Sequence, residues 1–323
     1  MPANVETMAY ADDVVLGDLW HKLGTRVDHA MTSTEALDLA GLDWTVEKVQ
    51  LQYPDGAIAH DDYGIRRESD GRHFGRVGSL YEPYQNREAF DWMDSLVQDD
   101  VMRYESAMAL RGGALVVLLG RMQEDWKIGP DLFRTYLMVD TSHDGSGAVH
   151  ITPTSVRAIC HNTWKLARKD GEALSYSVRH TSTMTERLKK AAEAYAISTS
   201  ASRKMQDWLG RALDTDAPAG TSAQLMDSMF GSAEEAPTPR RAQAITDRRS
   251  EFVTKFVMPE YAHTGATVYT LFNAATGYAD WALKFRGDER TKMEKRFIGS
   301  IEGAGSQMKQ GAVEILSELV GTV

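Results

Sequence analysis

Apolar and polar residues alternate along Trp44–Tyr53, and that two-residue period predicts a strand with one buried face. Pro54-Asp55-Gly56 supplies a turn, and strand character continues to about Tyr81 with a hairpin turn at Asp70-Gly71. The period then changes. Ala89, Phe90, Met93 and Leu96 recur at helical spacing, so Arg87–Gln98 reads as a helix capped by Asn86. A shorter helix, Glu35–Ala40, follows the capping-box spacing of Thr32 and Glu35 and ends at Gly41. Val101–Met122 returns to strand character as a hairpin turned at Arg111-Gly112-Gly113. Its second arm, Ala114–Leu119, is apolar throughout, which places it centrally in a sheet. Phe133–Asp140 and Ala148–Thr152 are expected strands on either side of the polar turn Ser142-His143-Asp144-Gly145-Ser146-Gly147. Thr152-Pro153 is read as opening a helix that runs to about Lys169.

The second half reads as helical: Thr185–Leu213, Arg241–Val257, Val268–Phe285 and Glu289–Leu319. Gly299, Gly303 and Gly305 inside the last of these each cost about 1 kcal/mol relative to Ala, which suggests a close helix contact. The stretch 214–239 is rich in Ala, Pro, Ser, Thr and Gly and reads as a linker or mobile loop. The fold class is α+β: an antiparallel-rich sheet with packed helices in the N-terminal half, and a helical C-terminal half. The expected division is a loose segment 1–19, an α+β domain 20–184, a helix 185–213, the linker 214–239 and a helical region 240–323.

Composition narrows the classes. Apolar residues make up 42% of the 323 positions and charged residues 25%, the balance of a globular chain. The single cysteine, Cys160, excludes an internal disulfide and a four-cysteine zinc site, and points to a reducing compartment. No apolar run is long enough to cross a membrane, and the first residues lack a basic stretch followed by an apolar one. A cytoplasmic protein without a membrane partner is the expectation.

Charge is unevenly distributed. The net charge is −10, but residues 1–150 carry −13, residues 151–211 carry +6 and residues 212–323 carry −3. The basic island coincides with the expected helix Ser155–Lys169. At about 100° per residue, Val156, Ile159, Thr163, Leu166 and Ala167 fall on one side of that helix. Arg157, His161, Trp164, Lys165 and Arg168 fall on the other. Cations suit phosphates and an indole suits an unstacked base, a combination that single-stranded nucleic acid uses. Arg179, Arg187, Lys189 and Lys190 extend the island. The same pattern also describes an ordinary solvated helix face.

Other chemistry is sparse. Asp140, His143, Asp144 and His150 are metal-ligand types within a short stretch, but further ligands would have to come from elsewhere in the fold. Gly145-Ser146-Gly147 offers backbone amides to a phosphate, or simply permits a tight turn. The segment Arg76–Asn86 brings Tyr81, Tyr84, Gln85 and Asn86 to a possible groove. No nucleotide loop, nucleophile elbow or zinc helix is present, so no catalytic residue, metal site or cofactor is assigned.

Five stretches together resemble one family. They are Trp20–Gly24, Glu35-Ala36-Leu37 with Ala40–Trp44, Tyr81–Asn86, Ser142–Ser146, and Arg157 with Cys160-His161-Asn162-Thr163. The late stretch Tyr278–Gly311, with Gly303, Gly305 and Lys309, adds to the likeness. The chain resembles the phage- and plasmid-borne domain-of-unknown-function family number 932. The resemblance implies a bacterial host cytoplasm and no established activity. His161 stands where the family pattern leads one to expect Gln, which would make a contact there more basic and pH-sensitive. The leading expectation is a protein that binds or anneals single-stranded DNA in recombination or replication, working as a homo-oligomer. A non-enzymatic factor that binds a host protein is the alternative, and a metal-dependent nuclease the third reading.

Overall fold

The apolar run Ala114–Leu119 lies where its composition requires, in the middle of a sheet. The computed structural model describes residues 7–11, 25–27, 31–98, 102–157, 163–165, 176–180, 191–301 and 303–322. Its large sheet contains β1 (Thr7–Ala11), β2 (Thr25–Val27), β6 (Met102–Leu110), β7 (Leu115–Ile128), β8 (Asp131–Ser142), β9 (Val149–Arg157), β10 (Thr163–Lys165) and β11 (Tyr176–Val178). The strand order is β10-β9-β8-β7-β6-β1-β2, and β11 also pairs with β9. Every pairing is antiparallel except β1 with β2.

Side chains of these strands alternate between two apolar layers, because successive residues point to opposite faces. Val116 and Leu118, Leu137 and Val139, and Val149 and Ile151 face one layer. That layer is closed by α1 (Ser33–Leu39) and α2 (Asn86–Gln98) through Leu37, Phe90 and Met93. Leu115, Val117 and Leu119 with Tyr136 and Met138 face the other, where Phe297 and Trp281 of the C-terminal helices cover them. Burying each such side chain contributes about 1.5–3 kcal/mol. The capping box at Thr32 and Glu35 forms as its spacing predicts.

A second, three-stranded antiparallel sheet contains β3 (Val46–Gln52), β4 (Ile58–Arg67) and β5 (His73–Val77). It docks on the turn between β8 and β9. The approach requires a glycine at position 75, since a Cβ there would lie 2.2 Å from the carbonyl oxygen of Asp144.

The C-terminal half is helical: α3 (Ala191–Asp214), α4 (Thr221–Phe230), α5 (Pro239–Phe252), a π turn Val253–Val257, α6 (Met258–Thr264), α7 (Val268–Trp281), α8 (Glu289–Ile301) and α9 (Ala304–Val320). Trp208, Leu225, Phe252, Tyr269, Phe272 and Leu316 form its core. The architecture is α+β. No helix among the described residues is long and apolar enough to cross a membrane.

Four local expectations are corrected. Thr152-Pro153 opens no helix: Ser155–Arg157 belongs to β9, and Thr163–Lys165 is β10. Val156 lies opposite Thr163 and Thr154 opposite Lys165. The β-branched residues Ile151, Thr152, Thr154 and Val156 favour extended backbone, and pairing with β8 runs the full length of the strand. Pro153 is tolerated because the outer edge of β9 changes partner there. β11 pairs at Val149–Ile151 and β10 at Thr154–Val156, and neither registers with Thr152 or Pro153. Residues 158–162 and 166–169 of the expected helix lie outside the described residues.

The stretch 214–239, expected as a linker, contains α4, whose Leu225 and Phe230 insert into the helical core. Composition alone misread it, because Leu225, Met226, Met229 and Phe230 make one apolar face among polar neighbours. Residues 7–11 of the expected loose terminus form β1 against β6. The single helix expected over Glu289–Leu319 breaks into α8 and α9 at Gly303. The close contact its glycines announced is present: a Cβ on Gly305 would meet the carbonyls of Gly299 and Ala279 at 2.9 and 3.2 Å. One turn on, Lys309 is buried and pairs with the buried Asp280 at 2.5 Å. Burial pulls the Lys309 ammonium below its usual range, and the Asp280 carboxylate opposes that shift.

Replacing Leu225 by Ala should cost about 2–5 kcal/mol by urea denaturation, as for a fully packed leucine. A change within about 0.5 kcal/mol would mean that α4 is a surface linker after all.

Candidate functional site

The turn between β8 and β9 is held by its own side chains. Asp144 Oδ1 accepts from the Ser146 amide at 2.9 Å, and Ser142 Oγ accepts from the Gly147 amide at 3.0 Å. Gly145 takes the left-handed conformation, with φ at 76°. Two of the amides that could have cradled a phosphate are therefore already occupied.

His143 anchors the turn from beneath. Its amide donates to Ala114 O at 2.8 Å, and its ring is fully buried against Trp44 and Phe74. The Arg67 guanidinium lies over both of those aromatic rings and also pairs with Asp70, whose carboxyl it holds down at about 2. Asn86 completes the anchor. Its Nδ2 donates to Leu42 O at 2.9 Å and Trp44 O at 3.3 Å, so Oδ1 is left as the acceptor facing His143 Nε2 at 3.0 Å. Backbone carbonyls only accept, so this geometry assigns the proton of a neutral His143 to Nε2. Asn86 thus spans three segments with its side chain, where a helix cap was expected. Burial pulls the His143 pKa down to about 3, with nearby His180 adding to the shift.

A cavity of about 620 Å³ opens beside this anchor. Its walls are Gly78–Tyr81, Gly145–Ala148 and Arg179-His180. Lys48 Nζ holds the first wall by donating to Ser79 O at 2.9 Å and Tyr81 O at 2.7 Å. The Tyr81 hydroxyl donates to Ser142 O at 3.1 Å, which ties the first wall to the second. The third is tied to the first by Glu82 N and His180 O at 3.1 Å. The His180 ring stacks on Tyr81, centroid to centroid 4.8 Å, and meets Tyr84 edge-on.

His180 is 4% exposed, and its Nδ1 has no hydrogen-bond partner, while Nε2 makes a long 3.5 Å contact with Thr141 Oγ1. Leaving a buried polar atom unpaired costs about 1–3 kcal/mol. Burial pulls the His180 pKa down to about 4, so the imidazole is neutral near pH 7. Arg179, by contrast, is exposed on the rim and has no ion-pair partner among the described residues. Leu80 is 83% exposed.

The candidate nucleic-acid contacts are placed as follows. Arg157 is the last residue of β9, Trp164 and Lys165 belong to β10, and Arg179 directly follows β11. His161, Arg168, Lys189 and Lys190 lie outside the described residues. The shared helical face expected for Arg157, His161, Trp164, Lys165 and Arg168 does not form, because both described parts of that segment are strand. β10 lies against α7, α8 and α9.

Of the metal-ligand types, Asp140 is buried in β8 opposite His150 of β9, His143 serves the anchor, and Asp144 holds its turn. Among the described residues no group of three or more His, Cys, Asp or Glu side chains is arranged to hold a metal. In the sequence Tyr81 reads as part of a possible groove and the glycine-rich turn stands separately, and the structure brings the two together. His180 was not part of that reading, because nothing local marks a histidine so far along the chain from the tyrosine it stacks on.

The family model described as Domain of unknown function (DUF932) matches residues 73–297. That span contains every wall of the cavity. No curated protein and no solved structure matches the chain.

The two histidines set an acid limit on stability. Their pKa values are lowered in the fold from an ordinary 6.5, so the unfolded chain binds more protons between about pH 6.5 and 4. Stability should be greatest above pH 6.5 and fall as pH drops through that window, by up to about 1.4 kcal/mol per pH unit for each histidine. Denaturant midpoints measured from pH 7 to pH 4 check this, and a His143→Gln variant should show the shallower slope.

Proposed function

The chain belongs to the DUF932 family, whose description carries no activity, and we propose from its own residues that it binds single-stranded nucleic acid along the outer edge of β9. One observation supports this reading above others: Arg157, Lys165 and Arg179 of the positive island all belong to or adjoin the strands at one edge of the sheet. β10 and β11 lie end to end along β9, from Val156 opposite Thr163 to Val149 opposite Val178. At about 3.4 Å per residue, this edge extends over roughly 25 Å. Arg157 ends one side of it and Arg179 follows the other, with Lys165 between them. His161, Arg168, Lys189 and Lys190 lie outside the described residues and enter the proposal by their place in the sequence alone.

A chain of net charge −10 gains nucleic-acid affinity only where its charge reverses locally, and residues 151–211 are that place at +6. Unpaired bases suit an irregular edge better than a duplex does, since a flexible strand follows scattered cations and stacks on aromatic side chains. Annealing in recombination or replication, in the cytoplasm of a bacterium hosting a phage or plasmid, is the setting this chemistry fits. A homo-oligomer would repeat the edge along one strand.

Fluorescence anisotropy of a labelled oligothymidine tests the reading. Binding is expected at about 50 mM salt and should weaken steeply as salt rises. Arg157→Ala and Arg179→Ala should each flatten the log–log salt slope by about 0.7, the share of one phosphate on a single strand. No binding at the lowest salt would remove the reading.

A further inference from the structure

We propose that the cavity bounded by Gly78–Tyr81, Gly145–Ala148 and Arg179-His180 is a pocket for one nucleotide unit, with its phosphate on Arg179 and its base beside Leu80 and His180. The ligand class rests on the strand-binding reading; the cavity and its chemistry do not.

The volume, about 620 Å³, falls within the range of roughly 300–1,000 Å³ typical of small-molecule sites. The chemistry is divided as a nucleotide requires. Arg179 is an exposed guanidinium at the rim with no partner among the described residues, and its planar fork matches phosphate oxygens. Leu80 is a large apolar side chain left 83% exposed on a loop whose carbonyls Lys48 holds in place. It offers a flat ring an apolar surface that solvent does not reward.

His180 supplies a ring to the wall. It is more than nine-tenths buried, and its stack on Tyr81 fixes the ring plane. The ring closes the wall beside Leu80, and its buried Nδ1 is not presented to the ligand. Asp144 limits the ligand from the other side. Its carboxylate holds the Ser146 amide next to the cavity and acts on Tyr81, so among the described residues lining the cavity Arg179 is the one cation and Asp144 sets a negative charge beside it. One guanidinium beside one carboxylate suits a monophosphate rather than a triphosphate. The amides of Ser146 and Gly147 are already engaged and are not available to a second phosphate.

The unit can come from the end of a bound strand or from a free nucleoside monophosphate. Calorimetry with dTMP, dAMP and inorganic phosphate separates base from phosphate, and anisotropy with an oligothymidine follows the strand. Gly78→Phe fills the site: a side chain at Gly78 meets nothing within 4 Å, and its backbone is not left-handed. Ser146→Trp, on the opposite exposed wall, is the second filling variant, and thermal melting checks that both fold.

A monophosphate should bind at least tenfold more tightly than phosphate, and each filling variant and Arg179→Gln should weaken it at least tenfold. Equal affinity for phosphate and monophosphate, or monophosphate binding unchanged in both folded filling variants, overturns the proposal. So does an absence of monophosphate binding together with strand binding that both filling variants leave intact; that result leaves the strand-binding reading standing. Monophosphate binding lost in the variants, without strand affinity, supports the pocket and removes the strand.

Discussion

A sheet that is apolar on both faces cannot exist in water unless both faces are covered, and this requirement organises the whole molecule. Strands β6 to β9 send alternate side chains into two separate layers, and each layer needs its own lid. The helices near the start of the chain close one face and helices from its end close the other, with Phe297 and Trp281 bearing directly on the strands. The C-terminal helices therefore do more than follow the sheet; part of its core is theirs. The buried Lys309–Asp280 pair and the glycine contact at Gly305 fix how α9 meets α7 within that cover.

The turn between β8 and β9 gains its rigidity from this arrangement at one remove. His143 reaches down from the turn to the end of β7 through Ala114, and sideways to Asn86 on a covering helix. Asn86 in turn holds the carbonyls of Leu42 and Trp44. The small sheet then settles on the turn through Gly75. Four chain segments of very different sequence position meet at one buried imidazole. The neutrality of that imidazole follows from its burial. The cavity beside it has walls drawn from three of the same neighbourhoods, so its shape depends on side chains that never touch its contents.

What the sequence disclosed follows physical range. Alternation exposed β3, the glycine turn at Arg111-Gly112-Gly113 marked the hairpin of β6 and β7, and the capping box located α1, because those signals are complete within a few residues. The helix predicted across Thr152–Lys169 failed because an amphipathic wheel fits many short polar–apolar mixtures. Whether Thr154 and Val156 find a partner strand is decided by β8, which lies well upstream. Helix α4 was hidden by its small and polar neighbours. Tyr81 was readable as a possible groove residue and the turn at Gly145 as a tight glycine turn, but the stacking of His180 on Tyr81 arises only through contacts across the fold. The basic island was visible as composition, but the strand pairing that brings Arg157 and Lys165 to neighbouring strands was not.

Pro153 marks the point where the outer edge of β9 passes from one partner to the next. The chain leaves this edge after Lys165 and returns to it at Tyr176, so both ends of the intervening piece are fastened to the same rail. Such a piece can be lengthened, shortened or exchanged without shifting the register of any central strand. Doubling a loop of this kind costs only about 0.6 kcal/mol in closure entropy. The edge thus tolerates a change of chain length between Lys165 and Tyr176 with no change in the sheet behind it.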